Sequence, residues 1–581
     1  MNLVTFAPMK KYNIILLFSL LFSTITVSYA QQTDTRSERE KQQYRQALIS
    51  TGAVFSNIQR FFVDTVDLVK VSTVGLNALL QRLDPYTEYF TPEQAKAFGE
   101  LTTGQYAGIG AIISERPNKT VIINEPFAGQ PADVAGLKSG DRILSIDGKD
   151  FSKKASSPEV SKALRGADNS KIKLVVKRPG VAEPLSFTFK RKIININSVP
   201  YFGRLDGNIG IIRLNTFSKD TGKDVREALE SLLAEGPLDG LILDLRSNGG
   251  GILQTAVDML SLFLPVNTLV VKVIGRQPDT NANYMTTKEP LVPSLPMAVL
   301  INGESASASE IVAGALQDTD RAVIMGQKSF GKGLVQSTVA LPGNALMKLT
   351  TAQYYIPSGR NIQKIAYHHL NDTVNKEDEE NTASSMADAD TIAESDSLGA
   401  PYYTKSGRAV YATDGILPDI TLSVDTLPAI ISFMAVDTLV FDYITDYVQQ
   451  HKEPLDPATF HLSNQDFDAF CKEMTQKHFT YKPASAYLLE RLEKTIKEEK
   501  REVFLKKELH DLKSSFMPNI EEELRQYKNE IVDFLEGQIL LRKCYRRGFF
   551  AKMLPSDPQV KEAIKLLKDQ KRYKTLLLPL R

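Results

Sequence analysis

Residues 297–316 read "MAVLINGESASASEIVAGAL". The unbroken apolar run Met297–Ile301 has the length of a buried strand, and Asn302-Gly303 closes it with a turn signal. Three serines then alternate with alanines before apolar residues recur at Ile311, Val312, Ala315 and Leu316, the spacing of one helix face. Ser307 followed three residues later by Glu310 is a capping box, so the helix starts there. Strand, turn and helix follow one another directly, and the same alternation runs through residues 205–365. "NIGIIRL" is a strand, "DVREALESLLAEG" an amphipathic helix ending in glycine, and "GLILDL" a buried strand. "ILQTAVDMLSLFL" is helical, and "TLVVKVI" and "AVIMG" are further strands. Such alternation predicts a layered α/β domain.

A serine at a strand-to-helix turn is both a cap and exposed, and the helix start aims free N–H groups at any developing oxyanion. Capping and attack are compatible, provided that a base stands nearby. All six histidines lie at or beyond position 368. "SFGKGLVQ" (329–336) offers a lysine instead. Lys332 stands between Gly331 and Gly333, just after a buried strand of the same α/β unit. Backbone can pack closely there and exclude water, and desolvation lowers an ammonium pKa toward that of a usable base. Ser-Lys pairs are a known nucleophile-base arrangement. Local sequence does not choose among Ser305, Ser307 and Ser309. The glycines of "DLRSNGGG" (244–251) serve equally a tight turn or an N–H presented to a tetrahedral intermediate.

The chain has 581 residues with a formal net charge of +1, too long for one core and without a global pull toward nucleic acid. Lys10 and Lys11, an apolar run from Ile14 to Phe22 and Ser28-Tyr29-Ala30 have the anatomy of a secretory signal, so export is expected. Only two cysteines occur, Cys471 and Cys544, with no metal-ligand spacing. Nine acidic residues against one lysine between Asp372 and Asp396 predict a disordered surface insertion. The pattern is helical from about 430 onward. Residues 541–581 hold twelve Lys/Arg against three Asp/Glu, spread along amphipathic helices as a solvated face would be.

Between residues 105 and 195 short alternating strands are separated by glycine turns. "GLKSGDRILSIDGKDF" (136–151) contains Asp147-Gly148, a hairpin signal, and resembles the most recognisable stretch of PDZ domains. "YAGIGA" lies about thirty residues upstream, where that family places its carboxylate-binding loop. Gly108 and Gly110, on either side of Ile109, let backbone N–H groups converge on an anion, and the following strand can pair with an extended peptide.

The PDZ segment, "DLRSNGGG", "NGESASASEIVAGAL", "SFGKGLVQ" and "KLTTAQYYIPSGRNIQ" occur in the order of the C-terminal processing peptidases, or tail-specific proteases. The resemblance runs from "LDPYTEYFTPE" near Leu83 to "GILPDI" near Ile420. It implies Ser307 as nucleophile, Lys332 as base, Gln336 as the residue that orients the lysine, Glu310 as a supporting motif residue, and Gly250 with Ala308 as the oxyanion hole. It also implies peptide binding at Gly108, Ile109 and Gly110, no cofactor or metal, a crotonase-like α/β core and a bacterial periplasm. The expected architecture is multidomain α+β. Its parts are a signal peptide (1–30), an N-terminal helical region (31–104), a PDZ-like β domain (105–195) and the peptidase core (196–370). The acidic insertion (371–399), the return to the core (400–430) and a helical C-terminal domain (431–581) follow. The expected function is an exported serine endopeptidase that grips protein C-terminal tails. The alternative is a non-catalytic periplasmic peptide-binding protein. A membrane-surface or adaptor contact through the C-terminal region, and oligomerisation, stay open.

Overall fold

The computed structural model describes residues 37–195, 197–364, 400–423, 427–516 and 518–579, with the side chains of 101–103, 502–504, 506 and 514–515 left aside. The expected signal peptide and the acidic insertion lie outside these residues. Two compact units divide the chain at Leu80. The first contains the helices Glu38–Phe61, capped by Ser37 with Glu40, and Leu68–Leu80. The second begins at Gln81, so "LDPYTEYF" does not close a helical region reaching to 104. Its Glu88–Phe90 is a strand that pairs with Leu346–Tyr355 of the peptidase region. Thr91 then caps the helix Pro92–Thr103 in a box with Gln94, as the Thr-Pro pair suggests.

The PDZ-like region is an antiparallel sheet in the order Ala111–Glu115, Val121–Pro126, Arg142–Ile146, Lys171–Lys177, Leu185–Lys190. Asp147 and Gly148 take positive φ (48° and 83°), the two-residue turn that the Asp-Gly signal predicts. Ala111–Glu115 is an edge strand of that sheet, beginning just after Gly110.

The peptidase region is built on a six-stranded sheet in the order Tyr201–Leu205, Ile209–Arg213, Gly240–Asp244, Met297–Ile301, Val323–Gly326, Ile420–Thr421. The first pair is antiparallel and the rest are parallel. Parallel strands must be covered on both faces. Helices Thr221–Ala234, Leu253–Leu260 and Ala308–Asp318 cover one face, where Leu229, Leu260 and Ile311 join the core. The other face is covered from the far end of the chain. Val560, Ile564 and Leu567 of the helix Pro558–Lys568 pack on Ile209, Ile211, Ile242 and Leu300. Tyr573, in the helix Gln570–Leu576, accepts from Met297 N–H at 2.9 Å. The helices of 431–581 thus pack around two cores. Residues between Ile430 and Ile539 form their own core around Phe470, Ile531 and Leu535, whereas Leu554 and the last two helices complete the peptidase sandwich. Cys471 and Cys544 are free thiols.

The PDZ-like sheet is docked on the C-terminal helices. Arg116 pairs with Asp442 at 2.5 Å and stacks on the Phe441 ring, and Arg546 forks onto Glu125 at 2.8 and 3.0 Å. The helix Lys528–Ser556 breaks at Tyr545, whose φ is +57°, and there the Tyr545 hydroxyl donates to Asp133 at 2.6 Å.

Candidate active site

The parallel strands Gly240–Asp244 and Met297–Ile301 end side by side, Asp244 opposite Leu300. Their following loops meet at the carboxyl end of the sheet, where α/β folds place ligands. Asn248 laces the loops together. Its side chain donates to Leu214 O at 2.9 Å, and its carbonyl accepts from Ala306 N at 3.1 Å and from Ser309 Oγ at 2.8 Å. Ser309 is thereby used up. So is Ser305, whose Oγ donates to Leu245 O at 2.9 Å, and both serines are fully buried. Ser307 alone of the three lines a cleft of ≈ 740 Å³. The choice that local sequence leaves open is made by packing.

Ser307 sits at φ +57°, ψ −115°, a left-handed conformation that costs a non-glycine residue about 1–3 kcal/mol. Gly250 explains how the turn fits. A Cβ there would meet Ala306 O at 2.6 Å and Ser307 Cβ at 2.8 Å, and its own φ is +94°. Gly250 departs from the oxyanion role expected of it, because its N–H already donates to Asn248 Oδ1 at 2.9 Å. Gly249 and Gly251, not Gly250, line the cleft. Ala308 opens the helix, so its N–H is one of those that find no intrahelical acceptor.

Glu310 is a buried bolt between two loops. One carboxylate oxygen accepts from Ser329 Oγ at 2.6 Å and Gly331 N at 2.7 Å, the other from Ser307 N at 2.8 Å and Lys332 N at 2.9 Å. Burial pushes its carboxyl pKa up, against those four hydrogen bonds. Tyr354, buried in the core, adds a second clamp. Its hydroxyl donates to Lys332 O and lies 3.3 Å from Ser307 O. Two side chains thus hold Ser307 and Lys332 at one cleft, which Gln336 also lines.

Burial lowers the Lys332 pKa to about 8, helped by the like charge of Lys348 and opposed by Glu310, Asp84 and Glu88. The ammonium nitrogen lies 4.7 Å from the centre of the Tyr86 ring. Gln336 donates from Nε2 to Thr350 Oγ1 at 3.3 Å. Asp84, Tyr86, Thr87, Thr350 and Tyr354 escape a reading of the serine and lysine motifs alone. Asp84 carries an Asx-turn signal, but the meeting of Thr87, in the same turn, with Thr350 joins residues 263 apart, which local sequence cannot show.

At the PDZ end, Gly110 has φ +72°, and a Cβ on it would meet Gln130 Cβ at 2.5 Å. Ile109 is buried in the PDZ core and anchors the loop rather than facing a ligand.

Residues 208–369 match the model of Peptidase family S41, 122–178 that of a PDZ domain, and 430–567 that described as "Probable PDZ-protease, C-terminal helical domain". A "Carboxy-terminal-processing protease" of Bartonella bacilliformis is 37% identical over 349 residues, which cover 60% of this chain and 79% of the relative. The chain belongs to the carboxy-terminal-processing proteases. A relative from Synechocystis sp. with the name "Carboxyl-terminal-processing protease" is 40% identical over 50% of this chain and 68% of its own. Among solved structures, a photosystem II D1 C-terminal processing protease is 27% identical, covering 63% of this chain and 86% of that one, with a TM-score of 0.34. This carboxy-terminal-processing protease is accordingly a peptidase that carries a PDZ domain and a C-terminal helical domain.

Proposed function

We propose that this protein is an exported endopeptidase that cleaves protein tails with a Ser307–Lys332 centre. Ser307 Oγ attacks the scissile carbonyl while neutral Lys332 takes its proton, and the tetrahedral oxyanion forms against the Ala308 N–H. The resulting Lys332 ammonium protonates the leaving amine, and water releases the acyl group by the same route in reverse. The observation that carries this reading is the double clamp of Glu310 and Tyr354 on both Ser307 and Lys332, at a cleft where burial brings the lysine pKa to about 8. Ahead of the site, the edge strand Ala111–Glu115 and the Gly108–Gly110 loop suit a free C-terminal peptide added as one more strand. The signal-like first thirty residues support export to a periplasm.

The test is an unfolded substrate with an apolar C-terminus, given as free acid and as amide to the wild type and to Ser307→Ala. Cleavage should vanish in Ser307→Ala. The amide should be handled less well by about 1–3 kcal/mol, the loss of a charge-assisted contact. Cleavage surviving Ser307→Ala would end the nucleophile assignment, and equal handling of acid and amide would end that of the PDZ loop.

A further inference from the structure

The "LDPYTEYF" turn, which none of the serine, lysine or glycine motifs contains, sets its Tyr86 ring 4.7 Å from the Lys332 ammonium. Asp84 is buried, and its carboxylate accepts from Tyr86 N and Thr87 N at 2.7 Å each and from Thr87 Oγ1 at 2.8 Å. Thr87 Oγ1 in turn accepts from Thr350 N at 3.2 Å and lies 3.4 Å from Thr350 Oγ1. Thr350 Oγ1 receives Gln336 Nε2 at 3.3 Å.

Each hydroxyl has one proton to give, and a carboxylate can only accept. Thr87 gives its proton to Asp84, so toward Thr350 it can only accept. Thr87 therefore holds Thr350 by accepting its backbone N–H, and Thr350 Oγ1 accepts from Gln336. The carboxamide turns its NH2 to Thr350, which leaves its oxygen as an acceptor for a donor lining the same cleft. Lys332 lines that cleft beside Gln336. The same turn sets the Tyr86 ring against the Lys332 ammonium.

We propose that Asp84 is a positioning residue for the lysine base. It fixes Thr87, which holds Thr350 in a relay of contacts, so that Gln336 presents its carboxamide oxygen to Lys332, and it seats the Tyr86 ring beside the same amine. This rests on Lys332 being the base. The groups facing Lys332 are Lys348 and Tyr354 from one strand, Glu310 from the Ala308–Asp318 helix, and Asp84, Tyr86 and Glu88 from the N-terminal turn. An acceptor on the amine favours its charged form, so losing the oriented oxygen lowers the lysine pKa, and losing the Asp84 charge acts in the same direction.

The experiment measures kcat, KM and the pH dependence of kcat/KM on a small peptide for Asp84→Asn, Thr87→Val, Thr350→Val and the conservative Thr87→Ser, with Lys332→Ala in parallel. The three relay variants should lose kcat about 10- to 100-fold at nearly unchanged KM. Their acid limb should move to lower pH by about half a unit or more, and Thr87→Ser should behave as wild type. Should Asp84→Asn unfold below the assay temperature, Thr350→Val decides, because it breaks the relay outside the turn. Wild-type kcat in the relay variants, or a loss of kcat with an unmoved acid limb, would overturn the proposal. If Lys332→Ala stays active, the Ser-Lys reading fails. If Lys332→Ala is dead while the relay variants behave as wild type, only the relay fails.

Discussion

Gly250 and Gly249 are neighbours with opposite tolerances. An added Cβ at Gly250 would meet the Ala306 carbonyl at 2.6 Å, whereas nothing lies within 4 Å of one at Gly249. Gly250→Ala should therefore cost about 2–4 kcal/mol and remove most hydrolysis by displacing Ser307, while Gly249→Ala should stay within about 1 kcal/mol of wild type in denaturant melts. Lys332 makes a prediction of its own. With a folded-state pKa near 8 against an ordinary lysine value of 10.5, the unfolded chain binds more protons between those pH values, so stability rises with pH across that window. Lys332→Met should abolish hydrolysis yet stabilise the protein at pH 7 by about 1–2 kcal/mol, allowing for the part of the side chain that stays wet. The gain should fade above pH 10, and a destabilised variant at pH 7 would contradict the buried cation. At this scale the sequence shows residue type but not which groups are consumed. Ser305, Ser309 and Gly250 match their motifs as well as Ser307 does, and only their hydrogen bonds tell them apart.

The elements of the sheet were legible because each carries its own period. The strands "GLILDL" and "MAVLIN" and the helix after Ser307 lie where the pattern puts them. The short strand Glu88–Phe90 was not, since three residues have no period and its partner is in Leu346–Tyr355. The segments flanking the acidic insertion are stapled to the Ala308–Asp318 helix and the loop after it. Arg360 pairs with Asp318 at 2.9 Å, both wholly buried, and Arg408 pairs with Asp320 and Asp419 at 2.7 Å each. Chain leaving and re-entering the core is thus held on both sides, and loop-closure entropy changes slowly with length. Replacing 373–397 by a short Gly/Ser linker should leave Ser307-dependent hydrolysis of a small peptide near the wild-type rate. Arg360→Ala should instead cost about 3–5 kcal/mol by stranding the Asp318 charge. Loss of peptide hydrolysis in the linker variant would show that the insertion belongs to the site.

The sandwich is closed by residues more than two hundred positions beyond the strands they cover, and no sequence period announces that. Removal of everything after Ser556 would expose Ile209, Ile211, Ile242 and Leu300 together. At about 1.5–3 kcal/mol for each large side chain, that approaches the whole stability of a domain. The truncated protein should fail to fold by circular dichroism and size-exclusion, whereas Tyr573→Phe should cost only about 1 kcal/mol. A soluble, active truncation would mean that the last two helices are an accessory.

The same view of the whole chain sets apart the two candidate bases. His451, His461, His478 and His510 lie in the C-terminal helical region, His368 and His369 lie outside the described residues, and Lys332 lines the cleft with Ser307. The most direct measurement is kcat/KM on a small peptide for a variant with all six histidines replaced, beside Lys332→Ala. The histidine-free protein should keep most of its activity, and Lys332→Ala should fall by about three orders of magnitude or more. An inactive histidine-free protein that still folds, together with an active Lys332→Ala, would contradict the Ser-Lys centre.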